Sequence, residues 1–105
     1  MKPVIPRAAA WTDVDMAIDH YRQEAGDDLA LRFVDALQHA YRLVATRPGI
    51  GSLRFSHELD VPDLRCRKVG RFPYLLFYIE RADHIDLWRV LHARRDIPAW
   101  MTVER

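Results

Sequence analysis

Hydrophobic residues recur at helical spacing near the start of the chain. The recurring positions are Trp11, Val14, Ile18 and Tyr21. A separation of three or four residues predicts an α-helix, here from about Ala8 to Ala25. The three aspartates within this segment are expected to lie largely on the solvent side of the helix.

A second and longer apolar stripe begins after Gly26, a residue type that favours the end of a helix. Its positions follow i, i+4, i+7 and i+8 intervals and comprise Leu29, Phe33, Leu37, Ala40, Tyr41 and Val44. Asp27 or Asp28 could cap this second helix, and Pro48-Gly49 would end it. Because the link is so short, the two helices are expected to fold back as an antiparallel hairpin.

The second half of the chain changes to short strand-like runs separated by turns. Three strands are predicted, at Leu64 to Val69, Tyr74 to Glu80 and Ile85 to Leu91. Their connections have hairpin length, so neighbouring strands should be antiparallel. A brief strand is also considered at Ser52 to Phe55, and the tail after Asp96 fits either a helical turn or an arm.

The N-terminal segment from Lys2 to Pro6 is too rich in proline for a central strand but suits an edge strand. The predicted fold is therefore α+β: an N-terminal edge strand and an antiparallel helical hairpin packed on one face of a small antiparallel β-sheet. A chain of 105 residues can bury one modest core, so residues 1–105 are predicted to form a single domain.

Positive charge is concentrated in the predicted sheet, although the net charge of the whole chain is only +1. From position 65 to position 95 there are eight cations and three acids. The cations are Arg65, Arg67, Lys68, Arg71, Arg81, Arg89, Arg94 and Arg95, and the acids are Glu80, Asp83 and Asp86. Such a local surplus suits an anionic partner, either nucleic acid or an acidic protein.

The composition argues against disulfide-bonded, membrane and metal proteins. The single cysteine, Cys66, excludes an intramolecular disulfide, is expected to face the core and fits a cytoplasmic location. No apolar run has the length of a membrane span, and the N-terminus lacks the apolar core of a signal peptide. The five histidines are scattered, so neither a metal site nor another cofactor is expected.

His92 is the candidate general base, because histidine titrates near neutral pH. A ribonuclease would also need cations at the phosphate, which Arg89 and Arg65 or Arg67 could supply. In a regular strand, however, Arg89 and His92 project from opposite faces, and a β-bulge would be needed to bring them into one pocket. The alternative is that His92 closes the strand end through a hydrogen bond to the backbone or to Asp96.

Arg65 and Arg67 project from the same face of their predicted strand, about 6.6 Å apart. That separation is roughly one phosphate spacing, so the two side chains could bind phosphates or an acidic peptide. The alternative is a solvated face on which they pair with nearby acids, namely Glu58, Asp60 or Asp63.

The order and spacing of these motifs resemble the RelE/ParE superfamily, the toxins of bacterial type II toxin–antitoxin modules. The resemblance extends from about Val4 to Asp96 and is closer to the ParE branch, also described as plasmid stabilisation proteins. The segments that carry it are Ala30-x-Arg32-Phe33 with Leu37, Pro48-Gly49-x-Gly51, Leu64 to Tyr78, and Arg89-Val-Leu-His-Ala-Arg-Arg-Asp96.

The resemblance implies the same fold and a cognate antitoxin whose C-terminal segment wraps the toxin and masks its active surface. We expect this antitoxin to be acidic and amphipathic, to fold on binding, and to dock along the hairpin or an exposed strand edge in a hetero-oligomer. The residues that bind it are not assigned. ParE-like members are described as inhibiting DNA gyrase, and RelE-like members as cutting mRNA in the ribosome.

Three functions remain as alternatives. The favoured function is a non-enzymatic toxin that poisons gyrase. Another is a non-toxic protein that only binds an antitoxin. The remaining alternative is an mRNA endoribonuclease with the catalytic candidates His92, Arg89, Arg65 and Arg67. No tyrosine follows His92, which argues against RelE-type cleavage. The residues expected to bind the target are Arg65, Arg67, Lys68, Arg71, Arg89, His92, Arg94 and Arg95.

Overall fold

A computed structural model describes residues 1–101, which contain four helices, four strands and one 3₁₀ turn. In chain order these are β1 (Val4–Pro6), α1 (Ala8–Ala25), α2 (Asp27–Thr46), the 3₁₀ turn (Pro48–Ile50), α3 (Arg54–Glu58), β2 (Arg65–Lys68), β3 (Tyr74–Glu80), β4 (Ile85–His92) and α4 (Ile97–Met101). The α+β fold predicted from the sequence is confirmed.

The helices α1 and α2 form the predicted hairpin across a single connecting residue, Gly26. Gly26 has a φ of +85°, a conformation that residues with a Cβ rarely adopt, so glycine lets the chain reverse within one position. Its N–H donates to the carbonyl of Arg22 at 2.9 Å and closes the last turn of α1. Asp27 and Asp28 then lie in the first turn of α2, where the helix dipole favours negative charge, instead of capping it.

The strands form one sheet in the order β1-β4-β3-β2. The β2–β3 and β3–β4 pairs are antiparallel, as their short turns predict. β1 lies at the edge, as predicted, but it runs parallel to β4, with Val4 opposite Ile85 and Pro6 opposite Leu87. The sheet is therefore mixed, an arrangement that the sequence pattern could not reveal because β1 and its partner lie at opposite ends of the chain.

The sheet is buried on both faces. On one face it shares a core with the hairpin, which includes the fully buried Phe33 and Leu76. On the other face, residues of the segment 55–64 and of α4 enclose Phe77, with Leu59 and Met101 fully buried beside it. The sequence analysis expected packing on one face only. The unbroken apolar run of β3 is explained by this burial on both sides.

A β-bulge interrupts β4 at Trp88. Phe77 lies opposite Arg89 and Tyr78 lies opposite Leu87, so Trp88 has no partner in the register. The bulge exchanges the faces of the strand, because Leu87 and Val90 both join the core beneath the hairpin, whereas Trp88 joins the second core. The regular alternation expected for this strand is wrong from this point onward.

The segment from Ser52 to Phe55 is not a strand. Ser52 alone makes an antiparallel bridge to Cys66, with N–O distances of 2.8 and 2.9 Å, and α3 begins at Arg54. Cys66 is buried in the second core, as predicted. The tail forms α4 over Ile97–Met101, the helical option of the two considered, and its last positions, 102–105, lie outside the described residues.

Candidate functional site

One end of the sheet carries a group of exposed cations. There β2 ends, β3 begins and β4 ends, and the N–H of Ala93 donates to the carbonyl of Pro73 at 2.8 Å. This register brings together four exposed cations that the sequence analysis assigned to target binding, namely Lys68, Arg71, Arg94 and Arg95. We call them the basic end. Within residues 1–101 none of the four forms an ion pair.

A cleft of about 380 Å³ opens between α1 and the last residues of β4, next to the basic end. Its walls come from α1, β3, β4 and the segment that leads into α4. The lining residues are Asp13, Met16, Ala17, His20, Tyr74, Val90, Leu91, His92, Arg95 and Trp100. The cleft is the concave surface that the predicted site residues His92 and Arg95 share.

Asp13 and Arg89 form a buried ion pair at the base of the cleft. They are 8% and 7% exposed, and the Nε and Nη2 atoms of Arg89 donate to the two carboxylate oxygens at 2.7 Å each. Asp13 also accepts a hydrogen bond from the backbone N–H of Val90 at 3.0 Å. This N–H lies on the edge of β4 beyond the point where β1 ends, so the carboxylate takes the place of a partner strand. The expectation that the aspartates of α1 face solvent is wrong for Asp13.

The bulge that the ribonuclease hypothesis required is present, but it does not bring Arg89 into the pocket of His92. Arg89 points to Asp13, and its Nη1 donates to the carbonyl of Trp100 at 2.8 Å. The guanidinium therefore links α1, β4 and α4. Of the residues assigned to target binding, Arg89 is the one enclosed within the protein, whereas His92 lines the cleft.

His92 closes the end of β4 as one alternative predicted. Its Nδ1 accepts the backbone N–H of Arg94 at 3.1 Å, and its ring lies edge-on to Tyr74 with centroids 5.2 Å apart. Burial, followed by the charges of Arg94, Arg95 and His20, lowers the pKa of His92. The neutral ring that results has its acceptor nitrogen occupied and presents Nε2–H as a donor, an arrangement unsuited to a general base.

Arg65 holds the turn that follows α2. Its Nη1 donates to the carbonyls of Gly49 and Gly51 at 3.2 and 2.8 Å. The hydroxyl of Tyr78 reinforces the same turn, accepting the N–H of Gly51 at 2.9 Å and donating to the carbonyl of Pro48 at 2.7 Å. The alternative pairing of Arg65 with nearby acids is not found among residues 1–101.

The four catalytic candidates do not share one cavity. Arg67 is half-buried and lines a separate shallow groove near Ser52 and Arg54. Arg65 holds a turn, Arg89 is enclosed by Asp13, and His92 lines the cleft. No ribonuclease constellation of these residues is therefore assembled.

A second concave surface lies on the outer side of the helical hairpin. This hairpin groove has a volume of about 630 Å³ and is lined by Ile18, Arg22, Asp27, Ala30, Leu31 and Val34. Leu31 is 62% exposed. The sequence analysis named the hairpin as one docking option for an antitoxin but assigned no residues to it, although Leu31 and Val34 lie outside the apolar stripe that packs on the sheet.

Residues 1–101 contain neither a metal-binding cluster nor a membrane-spanning helix. No group of three or more His, Cys, Asp or Glu residues in that range could hold a metal ion. None of the described helices is both long and apolar enough to cross a membrane.

Comparisons with known proteins agree with this architecture. A family described as ParE toxin of type II toxin-antitoxin system, parDE, matches residues 4–97. Ten chains of solved structures also match. One of them, described as the chromosomal ParDE TA system from P. aeruginosa, has a TM-score of 0.72 at 23% identity, covering 88% of this chain and 96% of that chain. No curated protein sequence matches significantly. Because the family match covers most of its residues, the chain belongs to the ParE toxin family of type II toxin–antitoxin systems.

Proposed function

We propose that this ParE-family protein poisons DNA gyrase without cutting nucleic acid and is neutralised by a cognate antitoxin. The observation that carries the proposal is the separation of His92, Arg89, Arg65 and Arg67, which leaves no assembled acid–base site. A poison that acts by binding needs a surface and no catalytic group. The family, together with the exposed charge of the basic end, supports that reading, and the proposal places the protein in the cytoplasm with its target.

The basic end is the surface that we assign to the target. Lys68, Arg71, Arg94 and Arg95 are exposed and lack ion-pair partners among residues 1–101, so no internal acid must be displaced before they bind an anionic surface. Association driven by such charges weakens steeply with added salt.

The hairpin groove is the surface that we assign to the antitoxin. Ile18, Leu31 and Val34 form an apolar floor between two helices, a shape that suits the apolar face of a partner helix. Leu31 is exposed beside the apolar side chains of Ile18 and Val34, and contiguous apolar surface of this kind is typical of an interaction site. The resulting assembly would be a toxin–antitoxin hetero-oligomer.

The test is a gyrase supercoiling assay with the purified chain, run beside a ribosome-programmed mRNA cleavage assay. Inhibited supercoiling with intact mRNA supports the proposal. Cleaved mRNA with unaffected gyrase overturns it in favour of an endoribonuclease. If expression of the chain does not arrest growth, and the purified chain affects neither assay, the non-toxic alternative is favoured, a protein that only binds its antitoxin.

A Leu31→Asp variant separates the two surfaces. We expect it to inhibit gyrase like the wild type but to escape neutralisation, because a carboxylate in the groove opposes an acidic antitoxin and removes the apolar contact. Leu53→Asp is the matched control, since Leu53 is also exposed and lies outside the groove. Full neutralisation of Leu31→Asp would move the antitoxin to another surface.

A further inference from the structure

The cleft beside the basic end combines apolar walls with an unneutralised cationic mouth. Met16, Ala17 and Leu91 supply apolar surface, and Met16 is 53% exposed. The one carboxylate of the lining, Asp13, is already bonded to Arg89 and to the N–H of Val90. Its charge therefore does not balance the guanidinium of Arg95.

The rings of Trp100 and Tyr74 in the cleft already contact neighbouring side chains. The guanidinium of Arg95 lies 4.2 Å from the centroid of the Trp100 ring, and that of Arg89 lies 5.5 Å from it. Tyr74 is buried and meets Phe33 and His92 edge-on, at 5.3 and 5.2 Å between centroids. A nucleobase stacks on an exposed aromatic face, and the burial of Tyr74 and the guanidinium over Trp100 make these two rings poor platforms for one.

We propose that the cleft is the docking site for an acidic segment of the toxin's protein target, with a carboxylate bound by Arg95 and an adjacent aliphatic side chain packed on Met16 and Ala17. The inference rests on the proposed function, since it assigns a partner chemistry to the surface next to the basic end. His20 and the Nε2–H of His92 lie on the same lining and supply further donors to the carboxylate.

The electrostatics of the cleft agree with an anionic occupant. Burial is the main cause that lowers the pKa of His92, and the charges of Arg94, Arg95 and His20 lower it further. A carboxylate bound there removes part of that repulsion. The pKa of His92 should therefore rise when the site is filled, and fall again when the occupant is competed away.

The cleft and the hairpin groove lie on different flanks of α1. The cleft takes positions 13, 16, 17 and 20, whereas the groove takes positions 18 and 22, about half a turn away at 100° per residue. The two surfaces share no lining residue. This separation supplies a control, because a probe placed in the groove should not report on the cleft.

The first experiment follows the ring resonances of His92 and His20 by NMR during titration with three probes. The probes are an N-acetylated Leu-Glu-Leu-Glu peptide amide, inorganic phosphate and an oligothymidine. The inference is supported if the peptide binds and the pKa of His92 rises. The affinity for the peptide should fall at least tenfold in Arg95→Glu and stay within twofold of the wild type in Arg42→Glu. Arg42 is exposed on α2 and also lacks an ion pair among the described residues. Shifts caused by phosphate or oligothymidine but not by the peptide overturn the inference in favour of nucleic acid.

The second experiment places the photo-crosslinker p-benzoylphenylalanine at Met16, with the same group at Leu31 as the control, in complexes with purified gyrase and DNA. A crosslink from position 16 to a gyrase peptide that contains an acid beside an apolar residue supports the inference. A crosslink to DNA overturns the inference. It is also overturned if the wild type inhibits gyrase and the Arg95→Glu variant inhibits it equally well. If the wild type does not inhibit gyrase while the peptide still binds in the cleft, the gyrase proposal fails and the acidic-segment chemistry stands.

Discussion

Removing the carboxylate of Asp13 should strongly destabilise the protein. In Asp13→Ala, Arg89, which is 7% exposed in the wild type, loses two hydrogen bonds of 2.7 Å. Breaking a buried ion pair on one side costs about 3–5 kcal/mol, and an unsatisfied buried N–H such as that of Val90 costs about 1–3 kcal/mol. Because the adjacent cleft is open to water, we expect a loss near 3–4 kcal/mol. That is a large share of the roughly 5–15 kcal/mol typical of a domain.

The measurement is urea unfolding followed by tryptophan fluorescence and circular dichroism. Asp15→Ala is the matched control, since Asp15 lies on the same helix, is exposed and should change stability by no more than about 0.5 kcal/mol. A double variant, Asp13→Leu with Arg89→Met, should be more stable than Asp13→Ala because no charge stays buried. A loss below about 1 kcal/mol in Asp13→Ala would refute the argument that this pair holds α1 to β4.

Two further predictions concern packing and pH. A Cβ at position 51 would lie 2.5 Å from the hydroxyl of Tyr78, so Gly51→Ala should lower the free energy of unfolding by about 1–3 kcal/mol, measured by urea unfolding. The control is Gly49→Ala, whose Cβ would meet nothing within 4 Å and which should be near neutral. Equal stabilities of the two variants would contradict the tight contact at position 51. Burial raises the pKa of Tyr41 to about 12, whereas the pKa of tyrosine in an unfolded chain is about 10. Between these two pH values the unfolded state releases a proton that the folded state keeps. The free energy of unfolding should therefore fall as the pH rises through this window, and an ultraviolet titration showing Tyr41 ionised at pH 10 in the folded protein would disprove the shift.

The sequence predicted the elements whose signals are local. The hairpin follows from apolar spacing and from Gly26, and the antiparallel strands follow from their short turns. The sequence analysis assigned Lys68, Arg71 and Arg94 to target binding but did not predict that they lie at the same end of the sheet, which the register of the strands shows.

The remaining features depend on contacts between distant positions. The pairing of Asp13 with Arg89 joins residues 76 positions apart, and it requires both the bulge at Trp88 and the end of β1 at Pro6. Neither event leaves a mark in a short window of sequence. The role of Arg65 was missed for a related reason, since its acceptors are backbone carbonyls, which every residue carries whatever its side chain.

The cleft depends on the completed structure, because Arg89 contacts three elements of the fold. Its guanidinium contacts α1 through Asp13 and α4 through the carbonyl of Trp100, while its backbone belongs to β4. The walls of the cleft therefore come into register only when segments from both ends of the chain have reached the sheet together. A nascent chain still lacking α4, or a chain clipped by a protease at either end, would present the scattered cations without the cavity. Under the proposed function, only intact and completely folded molecules would therefore present the cleft to the target.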